Sequence, residues 1–265
     1  MIRQLARCAL VGLALGTLGC ADEGGEERDS PAAPLLVLAA ADLQGAFEEL
    51  VPAWERQTGD RVELVLGSTG NLAAQIRHGA PADLFFAANE QFLDDLIEAG
   101  TIDPTSRTPY AVGRLALAVP AGGALPDALP ELTEARFQII AIANPDHAPY
   151  GMAAREVLRN MGIAESVSDR LVLGENIAHT LQFLRTGNAD IGIVAFSLLR
   201  GAGGQSLEFR VIDSSLHTPL LQVAGMVVRS LHPDRARHFL EFVVSPDGQA
   251  ILGRHGFEPP VTGGP

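Results

Sequence analysis

No lysine occurs in the 265 residues; all 19 basic side chains are arginine, set against 32 acidic ones, for a formal net charge of −13. The arginines form no run and are not interleaved with aromatics, which excludes an electrostatic track for a nucleic-acid backbone. Cysteine is nearly as scarce. Cys8 and Cys20 are the only two, both near the N-terminus, so a disulfide framework, a thiol nucleophile and a cysteine-ligated metal are all excluded from the body of the chain. Seven histidines include no pair four apart as a helical zinc site needs, and there is no Walker loop, no G-x-G-x-x-G after a strand and no G-x-S-x-G elbow. The chain is expected to be neither an enzyme nor a holder of a resident cofactor or metal cation.

What is present is a succession of strands, small polar turns and helices. The clearest is the stretch from Leu64 to Ala88, LVLGSTGNLAAQIRHGAPADLFFAA. An apolar strand, Val62 to Leu66, ends in Gly67-Ser68-Thr69-Gly70; helical spacing begins at Asn71, places Leu72 and Ile76 four apart, and stops at Gly79. Such a turn leaves the first N–H groups of the helix without intrahelical acceptors, at the positive end of the dipole, and so makes an anion site without cations. The hydroxyls of Ser68 and Thr69 add donors, and the glycines let the backbone approach closely. The same residue types also serve as plain helix caps.

Around this unit lie others. Leu35 to Ala41 reads as a buried strand, and Asp42 then opens a helix with Leu43, Phe47, Leu50 and Trp54 inward, which Pro52 is expected to interrupt or kink. Asp83 to Ala87 and Leu115 to Val119 read as strands, with a helix from Glu90 to Ala99 between them. A second series runs through a strand at Gln138 to Ala143, the turn Asn144 to Gly151 and a helix from Met152. It continues through a short strand at Leu171, a helix opened by Glu175-Asn176-Ile177, and strands at Ala189 to Ala195, Phe209 to Ile212 and Leu220 to Val228. Helices from Pro233 and Pro246 close the chain. Two groups of strand-helix units with turns at the C-terminal ends of their strands predict an α/β protein of two lobes facing across a cleft.

The first 20 residues read as an export signal, with Arg3 and Arg7 ahead of an apolar core, Ala9 to Leu18, too short to span a bilayer. They end Thr17-Leu18-Gly19-Cys20, which resembles the lipobox of bacterial lipoproteins except for Thr17; Cys20 is then the lipidation site and the exported protein, periplasmic or at the cell surface, is lipid-anchored, the alternative being cleavage after Ala21 to a freely soluble periplasmic form. Residues 21 to 34, acidic and without apolar periodicity, read as a flexible tether.

The succession AAADLQGAF, GSTGNLAAQI, GAPADLFFAA, NPDHAPYG, ADIGIVA and SPDGQAILGRHGF resembles the periplasmic molybdate-binding proteins of ABC importers, the ModA family, over nearly all of residues 35 to 258. The resemblance implies a two-lobe type II periplasmic binding fold, mixed sheets flanked by helices. Lobe 1 is then 35 to 112 with 221 to 260, lobe 2 is 113 to 220, and the hinge lies near Tyr110 to Arg114 and Leu220 to Gly225. It implies molybdate or tungstate as ligand, an ABC permease and ATPase as membrane partners, no cofactor, and a monomer. The runner-up readings are a binder of phosphate, arsenate or sulfate, and a sensor module using the same pocket.

By that resemblance the oxyanion is held by hydroxyls and main-chain N–H groups from both lobes. The family's first serine falls on Asp42, its second on Thr69 beside Ser68, its amide donors on Tyr150 and Ile177, and its tyrosine hydroxyl on Ala195. Ala195 cannot donate, which leaves the Tyr150 phenol or the Ser197 hydroxyl to replace it. Asp42 departs further, since a carboxylate roughly 4 Å from the ligand is repelled by ~4 kcal/mol per unit charge at an effective dielectric of about 20. Two expectations follow: either the carboxylate turns back to cap its helix while an amide faces the ligand, or it accepts a proton from an oxyanion such as hydrogen phosphate.

Overall fold

A computed structural model describes residues 33–201 and 204–260; the export signal, Cys20 and nearly all of the tether lie outside these residues. The first strand, β1 (Leu35–Ala40), is buried on both faces as its unbroken apolar run requires. A 3-10 turn, Ala41–Leu43, carries Asp42 out of β1 and into α1 (Gln44–Thr58). Pro52 sits inside α1, which runs on through it without a break, so the expected interruption is not found. β2 (Val62–Gly67), α2 (Thr69–Arg77), β3 (Leu84–Ala87) and α3 (Glu90–Glu98) follow. β1 pairs in parallel with both β2 and β3.

β4 (Thr108–Gly113) is a strand the sequence pattern did not reveal, because Pro109 removes one ladder donor and its burial does not alternate. It is the edge of the sheet β2-β1-β3-β10-β4, where β10 (Leu220–Met226) runs antiparallel to both neighbours. The β4–β10 register jumps so that Ala111 faces Gln222 and Pro109 faces Val223, leaving Tyr110 as the extra residue of a bulge. On one face of this sheet Phe47, Phe86, Trp54 and Phe239 meet edge to face; on the other Phe85 packs with Leu72, Leu93 and Leu96.

Arg114 alone separates β4 from β5 (Leu115–Pro120), which belongs to the second sheet, β7-β6-β8-β5-β9. Its guanidinium lies 4.5 Å from the centroid of Phe196 and 3.1 Å from Glu258, while Val112 and Glu258 exchange main-chain hydrogen bonds. The second half comprises β6 (Ile140–Ala143), α4 (Pro149–Asn160), α5 (Ala164–Val167), β7 (Leu171–Gly174), α6 (Ile177–Arg185), β8 (Ile191–Ala195), α7 (Phe196–Arg200) and β9 (Leu207–Val211). β6 is parallel to β7 and β8, and β5 antiparallel to β8 and β9. The chain returns through β10, and α8 (Pro233–Val244) and α9 (Pro246–Arg254) complete the first half. The short helix α7 was not expected either: it starts directly at the end of β8, with no turn residue to announce it.

Candidate functional site

Three helix beginnings converge on one recess. α2 starts at Thr69, capped by the Ser68 hydroxyl, which accepts from Asn71 N–H at 3.4 Å. α6 starts at Ile177, capped by Asn176. α4 starts with Pro149 and Tyr150 and has no side-chain cap at all; proline fits this position because its missing N–H would be unpaired anyway. Thr69, Tyr150 and Ile177 thus occupy first-turn positions whose N–H groups have no intrahelical acceptor. Asp42, Ser68, Thr69, Tyr150 and Ile177 all line the same small recess, which has room for about one water molecule. Two wider surface grooves, one along residues 76–83 and 227–232 and one between α1 and α6, lack this convergence of donors; alignment of dipoles, not volume, singles out the recess. No arginine or histidine lines it among the described residues.

The two halves meet here through direct hydrogen bonds. Gly70 N–H donates to the His147 carbonyl at 2.9 Å, and the Ser68 hydroxyl lies 2.7 Å from His147 Nδ1. The Ser197 hydroxyl donates to the Asp42 carbonyl at 2.9 Å. The Thr69 hydroxyl oxygen accepts from Ala88 N–H at 3.2 Å, which leaves its own hydrogen available to donate.

Asp42 does not cap its helix: neither the 3-10 turn, whose N-cap is Ala40, nor α1, whose N-cap is Leu43, has a side-chain cap. Its carboxyl is instead 1 % exposed and turned toward the crossing strand, where Oδ2 accepts from the Tyr150 phenol at 2.9 Å and from the Gln222 amide. Gln222 Oε1 accepts in turn from the Tyr110 phenol at 2.7 Å. The short polar side chain prefers these two preorganised donors to a local turn. Oδ1 is buried with no hydrogen-bond partner of normal geometry. Ala195 is buried and outside the recess. Neither suggested replacement for its missing hydroxyl is free: the Tyr150 phenol is committed to Asp42, and the Ser197 hydroxyl to the Asp42 main chain.

Burial pushes the Asp42 carboxyl from 3.8 up to about 6, against the opposing pull of hydrogen bonds from Gln222, Tyr150 and its own main-chain N–H. Burial, and then the nearby carboxylate, push both phenols well above their ordinary range, so Tyr110 and Tyr150 stay protonated donors. Because the folded chain holds the Asp42 proton more tightly than the unfolded one, its contribution favours the fold fully below 3.8 and is lost as pH rises through about 6. The shift corresponds to ~3 kcal/mol. Asp42→Asn, which cannot ionise, should remove that slope: the melting temperature of the variant relative to wild type is expected to climb between pH 4 and pH 7, and parallel curves would contradict a buried, titrating Asp42.

Gln222 was not singled out in the sequence, although it is the lone polar side chain in the apolar run LLQVAGM, a signal of a buried partner.

The model of the bacterial extracellular solute-binding protein family matches residues 35–258. The molybdate-binding protein ModA of Azotobacter vinelandii is 31% identical over 254 residues, 94% of this chain and 96% of its own. The chain belongs to the ModA family of bacterial extracellular solute-binding proteins. The solved structure of the Azotobacter periplasmic molybdate-binding protein superposes on this ModA-family chain with a TM-score of 0.81 at 29% identity, covering 85% of this chain and 99% of that one. The putative ABC transporter substrate-binding lipoprotein YvgL of Bacillus subtilis strain 168 is 28% identical over 90% of this chain and 92% of its own. The two mixed sheets flanked by helices are therefore the periplasmic binding protein fold.

Proposed function

We propose that this ModA-family protein is the exported substrate-binding component of an ABC importer, that it captures molybdate or tungstate in the recess between its halves, and that it hands the anion to a membrane permease and its ATPase. It binds and releases without turnover, as a monomer anchored through Cys20. The observation that carries the reading is the convergence of the α2, α4 and α6 starts on one recess that, among the described residues, no cation lines. A tetrahedral dianion without a proton suits a pocket of donors, each charge-assisted bond being worth about 1.5–3 kcal/mol. The negative charge of the whole chain does not oppose this, since it is largely screened beyond about 8 Å while the donors act at about 3 Å.

Donors on both halves reach one anion only when the halves are together, so binding favours the closed arrangement that the His147 contacts also hold. Residues 35–112 with 221–260 and residues 113–220 are the two rigid parts of that motion. Titration calorimetry of the mature protein against molybdate, tungstate, sulfate and phosphate tests ligand and class together: tight binding of molybdate or tungstate is expected, and preference for sulfate or phosphate would reassign the ligand.

Thr69→Ala removes the one hydroxyl on the recess that keeps a free hydrogen. It should weaken molybdate binding by ~1.5–3 kcal/mol, about ten- to a hundredfold. An unchanged dissociation constant would place the anion elsewhere.

A further inference from the structure

One acceptor stands in this recess of donors. Asp42 lines it with a side chain that is 1 % exposed, and the oxygen not engaged by Tyr150 and Gln222, Oδ1, has no hydrogen-bond partner of normal geometry. A buried oxygen with no donor is poorly placed to share negative charge, and worse placed once a dianion arrives beside it. The same oxygen bearing a proton becomes an O–H donor.

We propose that Asp42 takes up a proton as the anion binds: the recess receives the doubly charged oxyanion with Asp42 in its acid form, Oδ1–H donating to the anion, so that each anion is captured together with one proton. This rests on the oxyanion reading of the recess given above. The proton comes from solvent and returns to it on release; no other bond forms or breaks.

Among the described residues, the surroundings of Asp42 leave no other charge to do this work. Tyr150 on α4 and Tyr110 on β4 are phenols held protonated by burial, and Gln222 on β10 is neutral. The 3-10 turn packs against α1, α6 and α7. Their charged groups, Glu48, Glu49, Glu55, Arg56, His179, Arg185 and Arg200, make no hydrogen bond or ion pair to Asp42. His147, whose ring touches Ser68 of the recess wall, is the residue the test separates from Asp42. The raised affinity of the free Asp42 for its proton, to about pH 6, means the acid form is already within reach near neutrality.

Calorimetric titration with sodium molybdate at pH 7.5, in two buffers of different ionisation enthalpy, should show uptake of about one proton, and affinity should fall about tenfold per pH unit between pH 7 and 8.5. In Asp42→Asn and Asp42→Ser, which donate without titrating, proton uptake should vanish and affinity should be level with pH. Melting curves identify which of the two variants folds. Wild-type binding without proton uptake overturns the proposal, as does a slope that survives in the folded Asp42 variant and disappears in His147→Asn. Preference for hydrogen phosphate over molybdate without uptake overturns it too, since Asp42 would then be the acceptor. Absence of binding to molybdate, tungstate, sulfate and phosphate by all of these proteins from pH 5.5 to 8.5 would sink the oxyanion reading itself, an outcome distinct from pH-independent binding.

Discussion

Gly70→Ala is expected to weaken molybdate binding by roughly ten- to a hundredfold, ~1.4–3 kcal/mol, without unfolding the protein. Gly70 is the second residue of α2, and its φ is not positive, so alanine suits the local backbone and even favours the helix by about 1 kcal/mol. The obstacle lies across the recess. A Cβ at this position would stand 2.7 Å from the His147 carbonyl oxygen, 2.9 Å from its Cβ and 3.0 Å from its Cα. These are mainly backbone atoms of the turn that leads into α4, and no rotamer change can clear them. The added methyl therefore pushes the start of α2 away from the start of α4, breaks the Gly70 to His147 hydrogen bond, and separates donors that must reach one anion. Calorimetry and a melting curve on the same variant read the two halves of the expectation. Wild-type affinity in Gly70→Ala would mean that these two helix starts do not meet when the anion is bound.

Gln222→Leu should destabilise the protein by ~2–3 kcal/mol at pH 7.5 and by clearly less at pH 5. Leucine is close to glutamine in size, so the change is mainly one of hydrogen bonding. It leaves the Asp42 Oδ2 with the Tyr150 phenol alone, and leaves the Tyr110 phenol with only the Ala87 carbonyl at 3.5 Å. A donor to the ionised carboxyl lowers its proton affinity, so removing one pushes Asp42 above its present value of about 6. The loss is then small while both proteins carry the proton and grows as pH rises past the wild-type value. Denaturant unfolding at the two pH values measures it; equal losses at both would show that Gln222 does not support a charged Asp42.

The alternation of apolar runs and helix starts made the two-sheet architecture and the Ser68-Thr69 turn legible in the sequence, because strand burial and helix capping are local properties; that Tyr150 and Ile177 belong with them came only from the resemblance to the family. What escaped is non-local. Tyr110 and Gln222 are 112 positions apart and meet only because a bulge in β4 aligns them. Tyr150 reaches Asp42 across 108 positions, and no spacing rule connects them. Asp42 beside the helix it precedes looked like a cap. The donors that outcompete the local turn come from the other half and from the crossing strand, and only the assembled fold supplies them.

Arg114 is the whole of the link between β4 and β5, and it is not left loose: its guanidinium rests on Phe196 and pairs with Glu258, whose main chain is laced to Val112. The stretch around Glu258 thus acts as a splint on the first crossover. If the halves hinge at this link as proposed, bending there must carry Glu258 with it, so a bulky addition just beyond residue 258 should be felt at the link first.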